Sequence, residues 1–130
     1  MAFTSAASRS RSARSAGAFE AYSWLFMRAS AVLLLVLVLL HFAIMHVING
    51  VEQVNYSFVA ARFATPFWRS YDLLMVLLAL GHGLNGTRII IDDYVHARAW
   101  RVFWMSALYA VGLVLALVGS LVILTFQPQA

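Results

Sequence analysis

Three long apolar runs divide the chain, and charge and turn residues collect in the short stretches between them. The runs cover 29–48, about 72–91 and 102–126. Each has the ~20 residues that a helix needs to cross ~30 Å of hydrocarbon. The pattern predicts an all-α integral membrane protein with three transmembrane helices. Asn49-Gly50 closes the first run. Residues 51–67 read as a mixed connector, with Thr65-Pro66 as the N-cap and first residue of the next helix. The second run holds Asn85, Thr87 and Arg88 in its latter half, which makes it the least hydrophobic of the three. Residues 92–101 form a short polar connector. The third run has no charge, and Gly112, Ala116 and Gly119 give it a small-residue stripe. Such a stripe lets a neighbouring helix pack closely in a bilayer. Residues 19–28 mix aromatics with charge and read as an interfacial helix entering the membrane, with Tyr22 and Trp24 at headgroup depth. Residues 1–18 are almost all Ser, Ala and Arg. They have the composition of a disordered cytosolic tail, leaving 19–130 as the membrane-anchor domain.

Composition sharpens the setting. Of 130 residues, 63% are hydrophobic and 11% charged, against about 25% charged in a soluble domain. Little of the chain is left to stand in water. Without cysteine there is no disulfide, thiolate metal site or iron–sulfur cluster of its own. The net charge of +4 comes from arginines alone. They are spread between the apolar runs, which suits membrane topology and not nucleic-acid binding. Arg9, Arg11, Arg14 and Arg28 flank the first run on its N-terminal side, and Arg88, Arg98 and Arg101 surround the second connector. Only Arg62 and Arg69 lie in the first connector, and the C-terminal tail has none. The positive-inside rule places the N-terminus and second connector in the cytoplasm, and the first connector and C-terminus outside.

The candidate chemistry lies in 81–94, Gly-His-Gly-Leu-Asn-Gly-Thr-Arg-Ile-Ile-Ile-Asp-Asp-Tyr. His82 and Asp93 are eleven residues apart, which sets them within ~20° on a helix and ~16 Å apart along it. Gly86 and Ile89 fall on the same stripe. One face thus carries an imidazole in mid-membrane, a gap without a side chain, and a carboxylate beside the Tyr94 phenol at the inner interface. Imidazole is a good axial ligand for haem iron, and Gly86 leaves room for a flat macrocycle. The competing reading of His82 is an interhelical hydrogen bond. Asp93 and Tyr94 can supply a proton and a hydrogen-bond donor to a quinone carbonyl, or can simply end the span and join the aromatic belt. Arg28 and Arg88 are membrane anchors, or counter-charges to haem propionates or a quinone pocket. His41 and His46 lie ~140° apart around the first span, so they do not share a site. His96 sits in the second connector as a solvated side chain. Polar residues within hydrocarbon turn towards a bundle interior, a cofactor or a cavity, so partner subunits are expected.

His82, Gly86 and Asp93-Tyr94 together resemble the motif of the small hydrophobic membrane-anchor subunit of succinate dehydrogenase (complex II), D-type. The entry Trp24-Leu25-Phe26-Met27-Arg28-Ala29-Ser30 and the stretch 57–72 with Pro66-Phe67-Trp68 are similar to actinobacterial anchors. The resemblance covers about 19–126. It implies that His82 ligates haem b and that Asp93 and Tyr94 belong to a ubiquinone or menaquinone site. It also implies a sister anchor subunit, an iron–sulfur subunit and a flavoprotein subunit, assembled at the bacterial cytoplasmic membrane. The chain would then be a non-catalytic anchor carrying electrons from succinate to quinone. Di-haem members place a ligand on the helix that here bears His41, so haem b would number one or two, with Gly86, Arg28 and His41 as further cofactor contacts. Counted from Ala29, His41 lies ~18 Å and His46 ~26 Å into the first span, while His82 lies ~15 Å below Asp72. On that count His41 and His82 come out at similar depths, although His41 has the more apolar surround. The alternatives are a cytochrome b-type electron-transfer subunit of another membrane oxidoreductase, and a purely structural anchor or small transporter component.

Overall fold

A computed structural model of the chain describes residues 3–127, with side chains from residue 17 onward. The first helix, α1 (Phe3–Phe42), runs without a break into the first apolar run. The tail expected to be disordered, 1–18, falls almost wholly where no side chains are described. The backbone course of α1 nevertheless passes through it. Ala and Arg favour helix and no proline interrupts them. The expected interfacial helix over 19–28 is not a separate element but part of α1.

Near its end α1 widens into a π-helical turn, Ala43–Ile48. The Asn49 side-chain amide donates to the Ile44 carbonyl at 2.7 Å. Gly50 then turns the chain at φ +69°, a conformation that suits glycine. After a 3₁₀ turn at Val51–Gln53 comes a short helix, α2 (Tyr56–Phe63). The connector 51–67 is therefore partly helical, a feature absent from the sequence reading. Its start was legible: Asn55 is the N-cap and its side chain accepts from the Phe58 N–H at 3.0 Å. Thr65 is extended (φ −102°, ψ 133°), as a residue before proline should be. Its hydroxyl does not cap the next helix but donates back to the Arg62 carbonyl at 2.9 Å.

Two long helices follow, α3 (Pro66–Tyr94) and α4 (Arg98–Thr125). Each spans ~40 Å at 1.5 Å per residue, longer than the hydrocarbon it must cross. The second span, read over 72–91, extends at both ends. The polar connector of 92–101 shrinks to the three residues between Tyr94 and Arg98. Three helical segments are long and apolar enough to cross a membrane: Gly17–Ile48, Pro66–Tyr94 and Arg98–Thr125. There is no strand among the described residues. The chain is an all-α, multi-pass membrane protein.

The central helix is α3, with α1 and α4 each packed along it. Within 17–42 the positions that are not exposed are Ser23, Met27, Ser30, Leu34, Leu37 and His41. They recur every three and four residues, the spacing of one helix seam. On α4 the corresponding stripe is Gly112, Ala116, Gly119 and Ile123. A Cβ on Gly112 would stand 2.6 Å from both Leu84 methyls, and one on Gly119 would stand 3.3 Å from Val76. The small-residue stripe read from the sequence therefore serves close packing of α4 on α3. Among the described residues the buried hydrophobic side chains are only Leu37, Ala60 and Ile123. Most of the apolar surface is turned outwards, as it must be where lipid or other subunits complete the bundle.

Candidate functional site

The α1–α3 seam carries the polar side chains. In order from the Tyr94 end towards the Asp72 end, it joins Ser23 to Asn85, Ser30 to His82, Leu37 to Tyr71 and His41 to Asp72. This antiparallel ladder gives each contact a level in the bundle.

At mid-level, Ser30 is 2% exposed and its hydroxyl lies 2.9 Å from His82 Nδ1. The same hydroxyl reaches the Met27 carbonyl at 3.4 Å. A hydroxyl both accepts and donates. If it donates to Met27 and accepts from Nδ1–H, the His82 Nε2 lone pair remains available to a metal. Gly86, one turn along, faces the soft end of Met27: a Cβ there would meet its Cε at 3.5 Å. Gly83 opens on free space. No three His, Cys, Asp or Glu side chains come together to hold a bare metal ion among the described residues. An iron bound at His82 would bring most of its own ligands with it, and a haem does.

At the Tyr94 end, Arg88 gathers a second polar group. Its Nη1 lies 3.7 Å from Glu20 Oε1 and 3.6 Å from Asp92 Oδ2. Its Nε donates to Asn85 Oδ1 at 3.2 Å, and the Asn85 amide donates to Ser23 Oγ at 2.8 Å. Arg28 is exposed, with its guanidinium 3.8 Å over the Trp24 ring. Arg28 and Trp24 line a groove of about 370 Å³ together with Glu20, Ser23, Met27 and Ile89. Asp93 and Tyr94 are exposed beyond it, Tyr94 by 78%. The structure thus sets His82 and Asp93-Tyr94 three turns apart on α3, as their spacing requires. It brings Arg88, not Asp93, into the network with α1.

At the Asp72 end, His41 Nδ1 is 3.5 Å from Asp72 Oδ1, and Arg62 Nη2 lies 3.3 Å from the same oxygen. His46 is exposed and rests on the Phe42 ring at 4.9 Å. His41 and His82 do not lie at similar depths, contrary to the count from the span ends. Asp72 lies deeper than the outermost turn of α3, because α3 already begins at Pro66. His41 stands level with Asp72 and His82 level with Ser30, so the two histidines are ~15 Å apart in depth.

Sequence reasoning missed Ser23, Ser30, Glu20, Arg62 and Asp72 as contributors. A signal was there for the first three. Glu20, Ser23, Met27, Ser30, Leu34, Leu37 and His41 hold one three–four spacing across α1. Arg62 and Asp72 carry no such signal, because their pairing depends on the fold of the connector.

A bundle of three apolar helices with a histidine and serine at mid-level, and acids, arginine and tyrosine at one mouth, defines a multi-pass membrane protein. A comparison with curated proteins gives no match. The family model for the succinate dehydrogenase/fumarate reductase transmembrane subunit matches residues 4–123. The chain belongs to that family: it is a membrane subunit of a succinate dehydrogenase/fumarate reductase, which implies soluble catalytic partners.

Proposed function

We propose that the chain is the D-type, actinobacterial-like anchor of a succinate:quinone oxidoreductase, holding haem b and forming part of its quinone site. The observation that carries this reading is the Ser30–His82 contact. A buried hydroxyl at 2.9 Å from Nδ1 fixes the ring of the one histidine that lies three turns from Asp93-Tyr94. Ligating histidines characteristically have their other ring nitrogen held in this way.

Each residue has its task. His82 would hold the haem iron through Nε2, with a sister anchor subunit completing the site. Gly86 keeps the neighbouring surface flat, with Met27 free to yield. Arg28 presents a cation at the rim of the groove to a propionate. When bound, haem b supplies one-electron carriage within the membrane. Tyr94 donates its hydroxyl to a quinone carbonyl, and the Asp93 carboxylate stands beside it to pass a proton. An iron–sulfur subunit with a flavoprotein subunit docks at this cytoplasmic mouth, the N-terminus lies inside and the C-terminus outside, and the host membrane is the bacterial cytoplasmic membrane. The chain itself does not oxidise succinate.

A second haem at His41 is favoured by two observations. The His41 ring nitrogen Nδ1 is buried and faces a carboxylate, whereas His46 is exposed. The ~15 Å between the levels of His41 and His82 separates two sites along one seam.

The test is a reduced-minus-oxidised spectrum and quinone reductase assay of the purified complex. His82→Ala removes one haem or converts it to high spin. Tyr94→Phe lowers quinone reduction by roughly tenfold, equivalent to 1–2 kcal/mol for one lost hydrogen bond, and leaves succinate oxidation by an artificial dye intact. An unchanged low-spin spectrum in His82→Ala overturns the ligand assignment. Full quinone activity in Tyr94→Phe returns the tyrosine to the aromatic belt.

A further inference from the structure

The Asp72 end of the α1–α3 seam holds charge that neither His82 nor the quinone contact uses. Asp72 and Arg62 are 8% and 7% exposed. Arg62 Nη2 donates to both carboxylate oxygens at 3.3 and 3.4 Å, and its guanidinium lies 4.1 Å over the Trp68 ring. A buried ion pair is seldom more stabilising than an apolar pair of the same volume, so stability alone does not account for it. Arg62 is not the carboxylate's only neighbour. His41 Nδ1 stands 3.5 Å from Oδ1, the oxygen that Arg62 also meets at 3.3 Å, and is without a hydrogen-bond partner although the atom is buried. The His41–Asp72 separation is ion-pair contact, longer than the roughly 2.9 Å of a hydrogen bond.

A carboxylate beside one ring nitrogen holds the proton there and leaves the lone pair on the other. Carboxylate–histidine–metal arrangements are built in this way, and the carboxylate raises the basicity of the ligand. The three groups come from three elements: His41 from α1, Arg62 from α2 and Asp72 from α3. Tyr71, next to Asp72, donates its hydroxyl to the Leu37 carbonyl and so pins α3 to α1 one turn from His41. The site is therefore built by the fold of the connector and not by one helix.

We infer that Asp72, steadied by Arg62, is the positioning residue that holds His41 with Nε2 free as an axial haem ligand. This rests on the second-haem reading above. Arg62 offsets the carboxylate charge, so the cluster is neutral as a whole and tolerable at that depth. The role of α2 follows: it delivers Arg62 to the pair.

The experiment uses the purified complex, with haem counted per flavin, low-spin electron paramagnetic resonance signals recorded and haem potentials titrated. Asp72→Asn alone would leave Arg62 buried and unpaired and risks failed assembly. The informative variant is therefore the double change Arg62→Gln with Asp72→Asn, which removes both charges together and leaves a neutral amide at each position. Expected are two haems in the unaltered complex, one in His41→Ala, and in the double variant a second haem that is retained less firmly, by ~10–100-fold, with a raised potential and altered low-spin signal. Loss of a haem in His41→Ala with an unchanged second haem in the double variant overturns the role of Asp72 and leaves the ligand reading standing. An unchanged haem count in His41→Ala overturns both. His46→Ala is the bystander, and a haem lost there moves the ligand to His46 and also overturns the inference.

Discussion

The two seams of α3 are built on opposite principles. Towards α4 the contact is dry along the span, where Gly112 admits Leu84 so closely that a Cβ would stand 2.6 Å from its methyls and Val76 lies against Gly119; it turns polar only at its end, where Arg69 of α3 donates to the Leu124 and Phe126 carbonyls. Towards α1 polar contacts recur along the whole seam, between Met27, Leu34 and Leu37, through Ser23, Ser30 and His41 on one helix and Asn85, His82 and Asp72 on the other. In lipid, apolar side chains gain nothing by leaving one apolar surround for another, so the dry seam holds by close packing. The polar seam costs desolvation wherever a group lacks a partner. A chain needing adhesion alone would have two dry seams. The polar one is thus where chemistry is expected, and variants on the two sides should fail in different ways.

The largest effect belongs to the polar seam. Arg62→Leu leaves the Asp72 carboxylate buried without its partner, at a cost of about 3–5 kcal/mol. The expected outcome is little assembled complex, measured as flavin and anchor recovered together from membranes. Normal recovery with an unchanged heat-inactivation midpoint would mean that water reaches Asp72, and the contrast between the seams would lose its sharpest example.

The dry seam should answer more mildly and without touching the haem proposed at His82. Gly112→Val drives two methyls into Leu84 and costs about 1–3 kcal/mol of packing. The heat-inactivation midpoint should fall, while the haem spectrum and quinone reductase rate per assembled complex stay as they were. A shifted haem signal from this variant would show that the two seams are mechanically coupled through α3.

Much of this was legible in the sequence, for physical reasons. The three spans follow from apolar length, since hydrocarbon thickness sets a hard minimum. The level of His82 relative to Asp93-Tyr94 follows from helical rise, which is the same in every helix. Helix α2 was hidden because eight residues with a mixed pattern give no period to read, although Asn55 marked its start. The Arg62–Asp72 pair was hidden because the two residues sit on different helices, ten positions apart in the chain, and only the folded turn between α2 and α3 brings them together. The relative depths of His41 and His82 were misjudged because Asp72 was taken as the start of the span, when α3 begins six residues earlier at Pro66.

The smallest effect is the most discriminating. Ser30 supplies a single hydroxyl, 2.9 Å from His82 Nδ1 and 2% exposed. Removing it leaves the imidazole in place, so Ser30→Ala should assemble and keep its haem. The lost hydrogen bond is worth about 1 kcal/mol, too little to unseat an axial ligand. It is enough to change one. A histidine whose Nδ1–H no longer meets an acceptor is a less basic ligand, which favours the reduced iron and moves the haem potential upwards. Ser30→Thr keeps the hydroxyl at a cost in crowding, and should restore the potential. If the potential is unmoved in Ser30→Ala, the hydroxyl only satisfies α1 through the Met27 carbonyl at 3.4 Å. The polar seam would then be polar for packing at its middle level, and its chemistry would be confined to its two ends.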